Sequence, residues 1–504
     1  MRPIKLCSVV LAISLGLAGP LAAAPVPATP DLIPAHQLQA DLSVLRRAYE
    51  ELHPGLYRYN SKEQMAASFK ALEAELSRDL TLQQAYLAFS GFLAKVKCGH
   101  TYANFFNQPD PVVDALFKGQ DKVPFYFRWI DRRMIVTRSF SEDPSLVAGT
   151  EVISIHGVPA ATILDRLLTV ARADGSNDAK RVSYLEVLGE SDYEAFDVFF
   201  PMFFPPSGTR FELRVKDPFT GQERTASVEA LSYDQRLAAR KAKTEKEENG
   251  AEAGWEFRLL DPGTAYLRMP TWALYDSKWD WKQFLDSSFD QLARSKTAHL
   301  IIDLRGNEGG LGDVGNAILS RLIKQDLRTS GFKRLVRYQK VPEDLMPYLD
   351  TWDKSFFDWG ASASELRDGF YRLRREGETE DGDLIKVAAR PFAGKTFILV
   401  DSSNSSATFR FSEVVQQNKL ATLVGQPTGG NRRGINGGAF FFLRLPHSKI
   451  EVDLPLIGYF PEGEPADAGL QPDIPVEPKV EDIARGIDPE MSVLRERLRI
   501  AKEP

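Results

Sequence analysis

The sequence predicts a multidomain α/β chain, with a helical N-terminal region, a β-rich middle and a C-terminal α/β region on a largely parallel sheet. Three observations carry the prediction. Leu38, Leu42, Leu45, Tyr49 and Leu52 repeat at helical spacing near the start. Alternating runs such as Phe125-Tyr126-Phe127-Arg128-Trp129 and Phe211-Glu212-Leu213-Arg214-Val215 fill the middle. Beyond them, the continuous apolar runs at His299 to Leu304 and Phe397 to Val400 alternate with helical patterns, as in sheets buried on both faces.

The chain has 504 residues, 43% of them hydrophobic, and a formal net charge of -6. That length suggests about three domains. Mild acidity without a basic stripe argues against a nucleic-acid partner. Met1 to Lys5 is short and basic, Leu6 to Ala18 is apolar, and Ala22-Ala23-Ala24 offers small residues for cleavage. Pro25 is awkward after such a cut, so Ala28 is an alternative end, and residues 1–28 read as a signal peptide. Its apolar run is too short for a mature anchor, and no other stretch is long enough to span a membrane. Cys7 lies inside the signal, which leaves Cys98 alone and allows no intrachain disulfide. A bacterial periplasmic or secreted location is the expectation.

Residues 30–110 read as a helical domain. Ser61-x-x-Gln64 and Thr81-x-x-Gln84 are capping-box patterns opening a second and a third helix. The third runs to Lys97-Cys98-Gly99-His100-Thr101, where Gly99 is the expected helix stop. Residues 120–235 form the β-rich region, in which Glu151 to Ile155 is a strand closed at His156-Gly157 and followed by an apolar helix from Ala160. That pattern resembles the carboxylate-binding half of a PDZ domain, and a generic small β domain explains it nearly as well. Residues 236–253 are a charged linker, 254–480 an α/β domain and 481–504 a helical tail. Within the α/β domain, residues from about 334 to 390 are rich in Trp, Tyr and charge and read as an inserted helical lid.

The chemistry concentrates at two strand ends. After Phe397 to Val400 comes a polar turn, Asp401 to Ser406, then helical spacing through Phe411, Val414 and Val415. A helix N-terminus offers free N–H groups and positive dipole density, which suits a nucleophilic serine and the oxyanion it creates. Ser406 is the candidate, and a plain N-cap is the simpler reading. After the His299 strand comes Asp303-Leu304-Arg305-Gly306-Asn307-Glu308-Gly309-Gly310. Glycines there let backbone N–H groups approach a ligand closely. Neither a GxxxxGK[ST] phosphate loop nor a dinucleotide fingerprint is present.

DLRGNEGG, NSSATF and VGQPTGG in that order, with CGHT far upstream, resemble the S41 serine peptidases: the tail-specific proteases, the tricorn core and the retinoid-binding-protein repeats. The resemblance implies a PDZ-like middle domain, a ClpP/crotonase-like catalytic domain and serine-peptidase activity on peptide or protein substrates. Tail-specific proteases activate the serine with a lysine in a TxGKG segment. Here Thr428-Gly429-Gly430-Asn431-Arg432 puts asparagine at that position, and a neighbouring guanidinium cannot accept a proton. The tricorn branch uses a histidine after the N-terminal helices, and His100 matches it. By resemblance the oxyanion hole is the N–H of Gly309 or Gly310 together with that of Ala407. The tricorn acid falls shortly before a GxxPD segment, where Glu464 is the choice and Glu462 and Asp467 stand close behind. Gly99 replaces the serine through which that acid works in tricorn. His53, followed by Pro54, reads as structural. No metal or other cofactor is implied, since no two histidines sit at helical ligand spacing.

Two readings of function follow. One is an exported serine peptidase with a Ser406–His100 pair; the other is an inactive binder of peptides or apolar ligands on the same fold. An α/β-hydrolase esterase would need a GxSxG elbow, which is missing.

Overall fold

A computed structural model describes residues 31–189, 191–206, 208–242, 254–275, 277–329, 331–374 and 383–499. The segment 1–28, read as a signal peptide, lies outside the described residues, as do residues 243–253 of the linker.

Three N-terminal helices span Ala35–Leu52, Lys62–Glu75 and Leu82–Lys95. Both expected capping boxes form, with Ser61 and Thr81 accepting from the N3 amides and the Gln64 and Gln84 side chains returning to the caps. The expected stop at Gly99 is displaced. The third helix ends at Lys95, and Lys97, with φ 58°, turns the chain away. Gly99 serves another purpose, described below.

The middle region is an antiparallel sheet of Phe125–Ile130, Arg133–Ser139, Glu151–Ile155, Arg210–Lys216 and Glu223–Glu229, in that spatial order. His156 and Gly157, both at positive φ, make the tight turn after the third strand, and the apolar helix Ala160–Leu168 packs on the sheet. Residues 236–242, read as the start of the linker, belong to the helix Tyr233–Ala242, where Arg236 is buried and donates to the Asp197 carboxylate.

The C-terminal region holds a six-stranded sheet in the order Ile474–Pro475, Thr422–Gly425, Lys395–Val400, His299–Asp303, Thr264–Arg268 and Glu256–Asp261. Only the last pair is antiparallel. The centres of its inner strands, Leu300 to Ile302 and Phe397 to Val400, are apolar and buried because both faces are covered. Leu300, Ile302, Ile398 and Val400 pack with the helices Trp281–Ser295, Gly312–Leu322 and Ser406–Gln417. Ile301, Phe397 and Leu399 pack with Met491 and Leu494 of the tail helix Pro489–Leu498.

The inserted region is a correction. In place of a helical lid, residues 333–373 supply four short strands and three single-turn 3-10 segments around the long hairpin Asn436–Arg444 and Glu451–Phe460. Its aromatic residues pack on that hairpin, with Phe357 and Phe441 ring centroids 4.8 Å apart. The hairpin also meets the first helix, since Tyr49 donates to the Asp453 carbonyl at 2.8 Å. One continuous core therefore joins the N-terminal helices, the middle sheet and this hairpin sheet.

Candidate active site

The turn that carries Ser406 is built by an asparagine and an aspartate. The Asn404 side chain accepts from the Asp401 amide at 2.9 Å and donates to the carbonyls of Leu304 and Asn307 at 2.6 and 3.0 Å. Asp401 accepts from the amides of Ser403 and Gly306 at 2.9 and 3.0 Å. These bonds clamp the turn to the glycine loop. Ser405 is the helix N-cap by position and makes no capping bond with its side chain. Ser406 is the first helical residue, with φ 51°. A non-glycine residue there is strained by on the order of 1–3 kcal/mol and persists only where its surroundings impose it. The simpler reading of Ser406 as a plain N-cap therefore does not describe it.

The glycine loop lies directly against this serine. A β-carbon on Gly309 would stand 2.9 Å from the Ser406 Cβ and 2.9 Å from the Ala407 amide nitrogen. One on Gly310 would fall 2.1 Å from the Trp272 carbonyl oxygen, and both glycines have positive φ. Only glycine allows either approach. The two N–H groups are not equivalent. Gly309 donates to Asn307 Oδ1 at 2.9 Å, and Asn307 is fixed in turn by donating to the Met269 carbonyl at 2.7 Å. The bridge between Trp272 and Gly310 runs from Trp272 N–H to Gly309 O and from Leu311 N–H to Trp272 O, so it uses neither polar group of Gly310. Ala407 follows the helix start, where N–H groups have no acceptor within the helix.

His100, about 300 residues upstream, lines the same cavity of about 1460 Å³ as Ser406, Gly309 and Gly310. Its loop is braced from two sides. The Gly99 amide donates to Asp174 Oδ1 at 2.9 Å, and a β-carbon at Gly99 would lie 2.9 Å from Asp174 Oδ2. On the other side the His53 ring, fully buried, hydrogen-bonds Thr101 Oγ1 at 2.8 Å through Nε2 and accepts the Gly55 amide on Nδ1. His53 is thus a neutral, structural histidine, which burial pushes down to about 3. The His100 ring stands 5.9 Å from the Phe440 ring, and its buried Nδ1 has no protein partner. Burial lowers its proton affinity. The Asp174 and Glu308 carboxylates oppose that, while Arg172 and Lys180 add to it.

The structure does not bring Glu464 into this group. Glu464 and Glu462 are exposed and lie outside the cavity lining. Asp467 accepts from the Ser176 amide at 2.9 Å and from Asn431 Nδ2 at 2.7 Å. Asn431, at the position where a lysine is expected, is fully buried and also donates to the Asp174 carbonyl at 3.1 Å. Arg432 and Arg433 are exposed. The carboxylates whose field reaches His100 are Asp174 and Glu308. Sequence reasoning missed Asp174, Arg172 and Lys180, which carry no motif. Glu308 sat in plain view inside the glycine motif. Among the described residues no group of three His, Cys, Asp or Glu is placed to hold a metal, and no helix is long and apolar enough to cross a membrane.

Comparison with known proteins agrees with this architecture. Residues 263–476 match the model of Peptidase family S41. The structure of mature CPAF complexed with lactacystin is similar at 16% identity and a TM-score of 0.60, over 92% of this chain and 98% of that one. The structure of mature CPAF is similar at 16% identity and a TM-score of 0.59, over 92% and 96%. At these identities the likeness is one of fold. No curated protein matches the chain by sequence.

Proposed function

We propose that the chain is an exported serine peptidase working through Ser406 and His100, a reading supported by the match of residues 263–476 to the model of Peptidase family S41. The carrying observation is the close approach of Gly309 to Ser406 and Ala407, in a cavity that His100 also lines. Ser406 Oγ attacks the peptide carbonyl while His100 takes its proton and then returns it to the leaving amine. The developing oxyanion is received by the N–H groups of Gly310 and Ala407, because Gly309 has already spent its own on Asn307. Asp174 is the acidic partner in place of Glu464: it holds the Gly99 amide and favours the imidazolium that forms during attack. Export rests on the signal-like residues 1–28.

The test is fluorophosphonate labelling of the mature protein, with digestion of a peptide library read by mass spectrometry. Labelling at Ser406 together with cleavage is the expected result. A protein that neither labels nor cleaves yet binds peptides is the inactive binder. Export is checked by sequencing the N-terminus of the secreted protein.

A further inference from the structure

We infer that Arg172, Glu308 and Lys180 form an ion bridge that holds the His100 loop, the glycine loop and the nucleophile turn in register. The inference rests on the Ser406–His100 reading and concerns positioning residues, none of which takes part in proton transfer.

Each end of the bridge is attached to a different catalytic segment. Arg172 donates through Nη1 to the carbonyl of Gly99, next to the base, and its Nη2 lies 3.5 Å from Glu308 Oε2. Its guanidinium is fixed over the rings of Tyr102 and Tyr184, 4.2 and 4.9 Å from their centroids. Glu308 stands between Asn307 and Gly309, and its carbonyl accepts from Ser405 Oγ at 3.1 Å. Lys180, buried, donates to Glu308 Oε1 and to the Ser403 carbonyl at 3.1 Å. Lys180 is itself anchored. Its helix is capped by Asn177, which donates to the carbonyls of Thr428 and Gly430 at 2.9 and 2.8 Å.

Buried ion groups add little net stability compared with apolar packing, and their best-attested use is to fix one arrangement over others. The arrangement fixed here is catalytic. The Glu308 side chain is half exposed to the cavity; its partial loss of water would raise it, but Lys180 and Arg172 outweigh that and hold the carboxyl down to about 2, so the bridge stays charged across the working pH range. The same charges act on the base. The charged groups facing His100 are Asp174, Arg172, Glu308 and Lys180, and the Phe440 ring beside it is neutral. The four groups are balanced in charge, so removing Glu308's charge leaves a net positive charge near the imidazole, whereas removing Lys180's charge leaves a net negative one. The two deletions must therefore move His100 in opposite directions.

The experiment compares Glu308→Gln and Lys180→Met in the full chain, reading kcat and KM and the NMR titration midpoint of His100, assigned with His100→Ala. The expected result is a kcat about tenfold or more lower in both with KM little changed, as for a small misplacement of reacting groups. The midpoint should fall in Glu308→Gln and rise in Lys180→Met. A general loss of packing would not give opposite shifts. Shifts of the same sign, or none, overturn the inference, as does turnover within about twofold of wild type in both variants. If Glu308→Gln does not fold, the sign and turnover of Lys180→Met decide alone. If the wild type neither hydrolyses peptides nor labels, the peptidase reading falls, while the midpoints still decide whether the bridge acts on His100.

Discussion

Gly309 stands against Ser406 so closely that a β-carbon on the glycine would meet the serine Cβ at 2.9 Å. The contact fixes the glycine loop over the helix start, and it makes the glycine the first residue to alter. Gly309→Ala must push back the backbone nitrogen of Ala407 while adopting φ near 110°. We expect kcat to fall by about a hundredfold or more, the scale of losing an oxyanion donor, with about 1–3 kcal/mol of stability lost to strain. Hydrolysis rates and denaturant melts check both, and turnover within tenfold of wild type would sink the oxyanion assignment.

Ser406 separates activity from stability. Both Ser406→Ala and Ser406→Gly should abolish turnover and labelling. Alanine keeps the left-handed strain at φ 51°, whereas glycine removes it. Ser406→Gly should therefore be the more stable of the two by about 1 kcal/mol. Equal melting curves would mean that the turn is not strained.

The base sets the pH dependence. His100 must be neutral to accept a proton, and burial depresses it. Activity should rise with pH through a midpoint below the ordinary ~6.5 of a histidine. His100→Ala should remove that limb together with turnover. Arg432→Ala and Arg433→Ala, at exposed positions, should leave the profile unchanged. A limb above pH 7 would contradict the assignment.

The acidic partner is tested by a pair of variants. Asp174→Asn should lower kcat by about tenfold or more, because the carboxylate that favours the imidazolium is gone. Glu464→Gln should match wild type, since Glu464 is exposed and outside the cavity lining. The reverse outcome would restore Glu464 and remove Asp174.

His53 contributes to the loss of stability in acid. Its folded-state value is about 3, against ~6.5 for an unperturbed histidine. The stability that neutral His53 contributes is fully present above ~6.5 and is lost as pH falls toward 3. His53→Gln should flatten the dependence of unfolding free energy on pH in that window. An unchanged slope would rule out His53 as its source.

The polar turn at Ser406 and the glycine loop were legible in the sequence because their demands are local. A positive-φ pair at Gly309-Gly310 and a polar turn before an apolar-faced helix are written in adjacent residues. The same holds for the two capping boxes. Asp174 was not legible, since it reaches the base loop through a single hydrogen bond between residues 75 apart. Glu464 was chosen by counting along a segment that the structure leaves exposed and outside the cavity lining. The inserted region misled for a different reason: strands of two to four residues are too short to display an alternating pattern.

In the proposed mechanism the base lies near residue 100, its supports near residues 172–180, and the nucleophile at residue 406. The region that matches the family model, 263–476, thus holds the proposed nucleophile but not the proposed base. A ribosome would release almost the whole chain before any peptide bond could be cut. On that mechanism latency during synthesis would follow from chain order alone, because until the first hundred residues fold onto the last two hundred the serine lacks the base that would activate it.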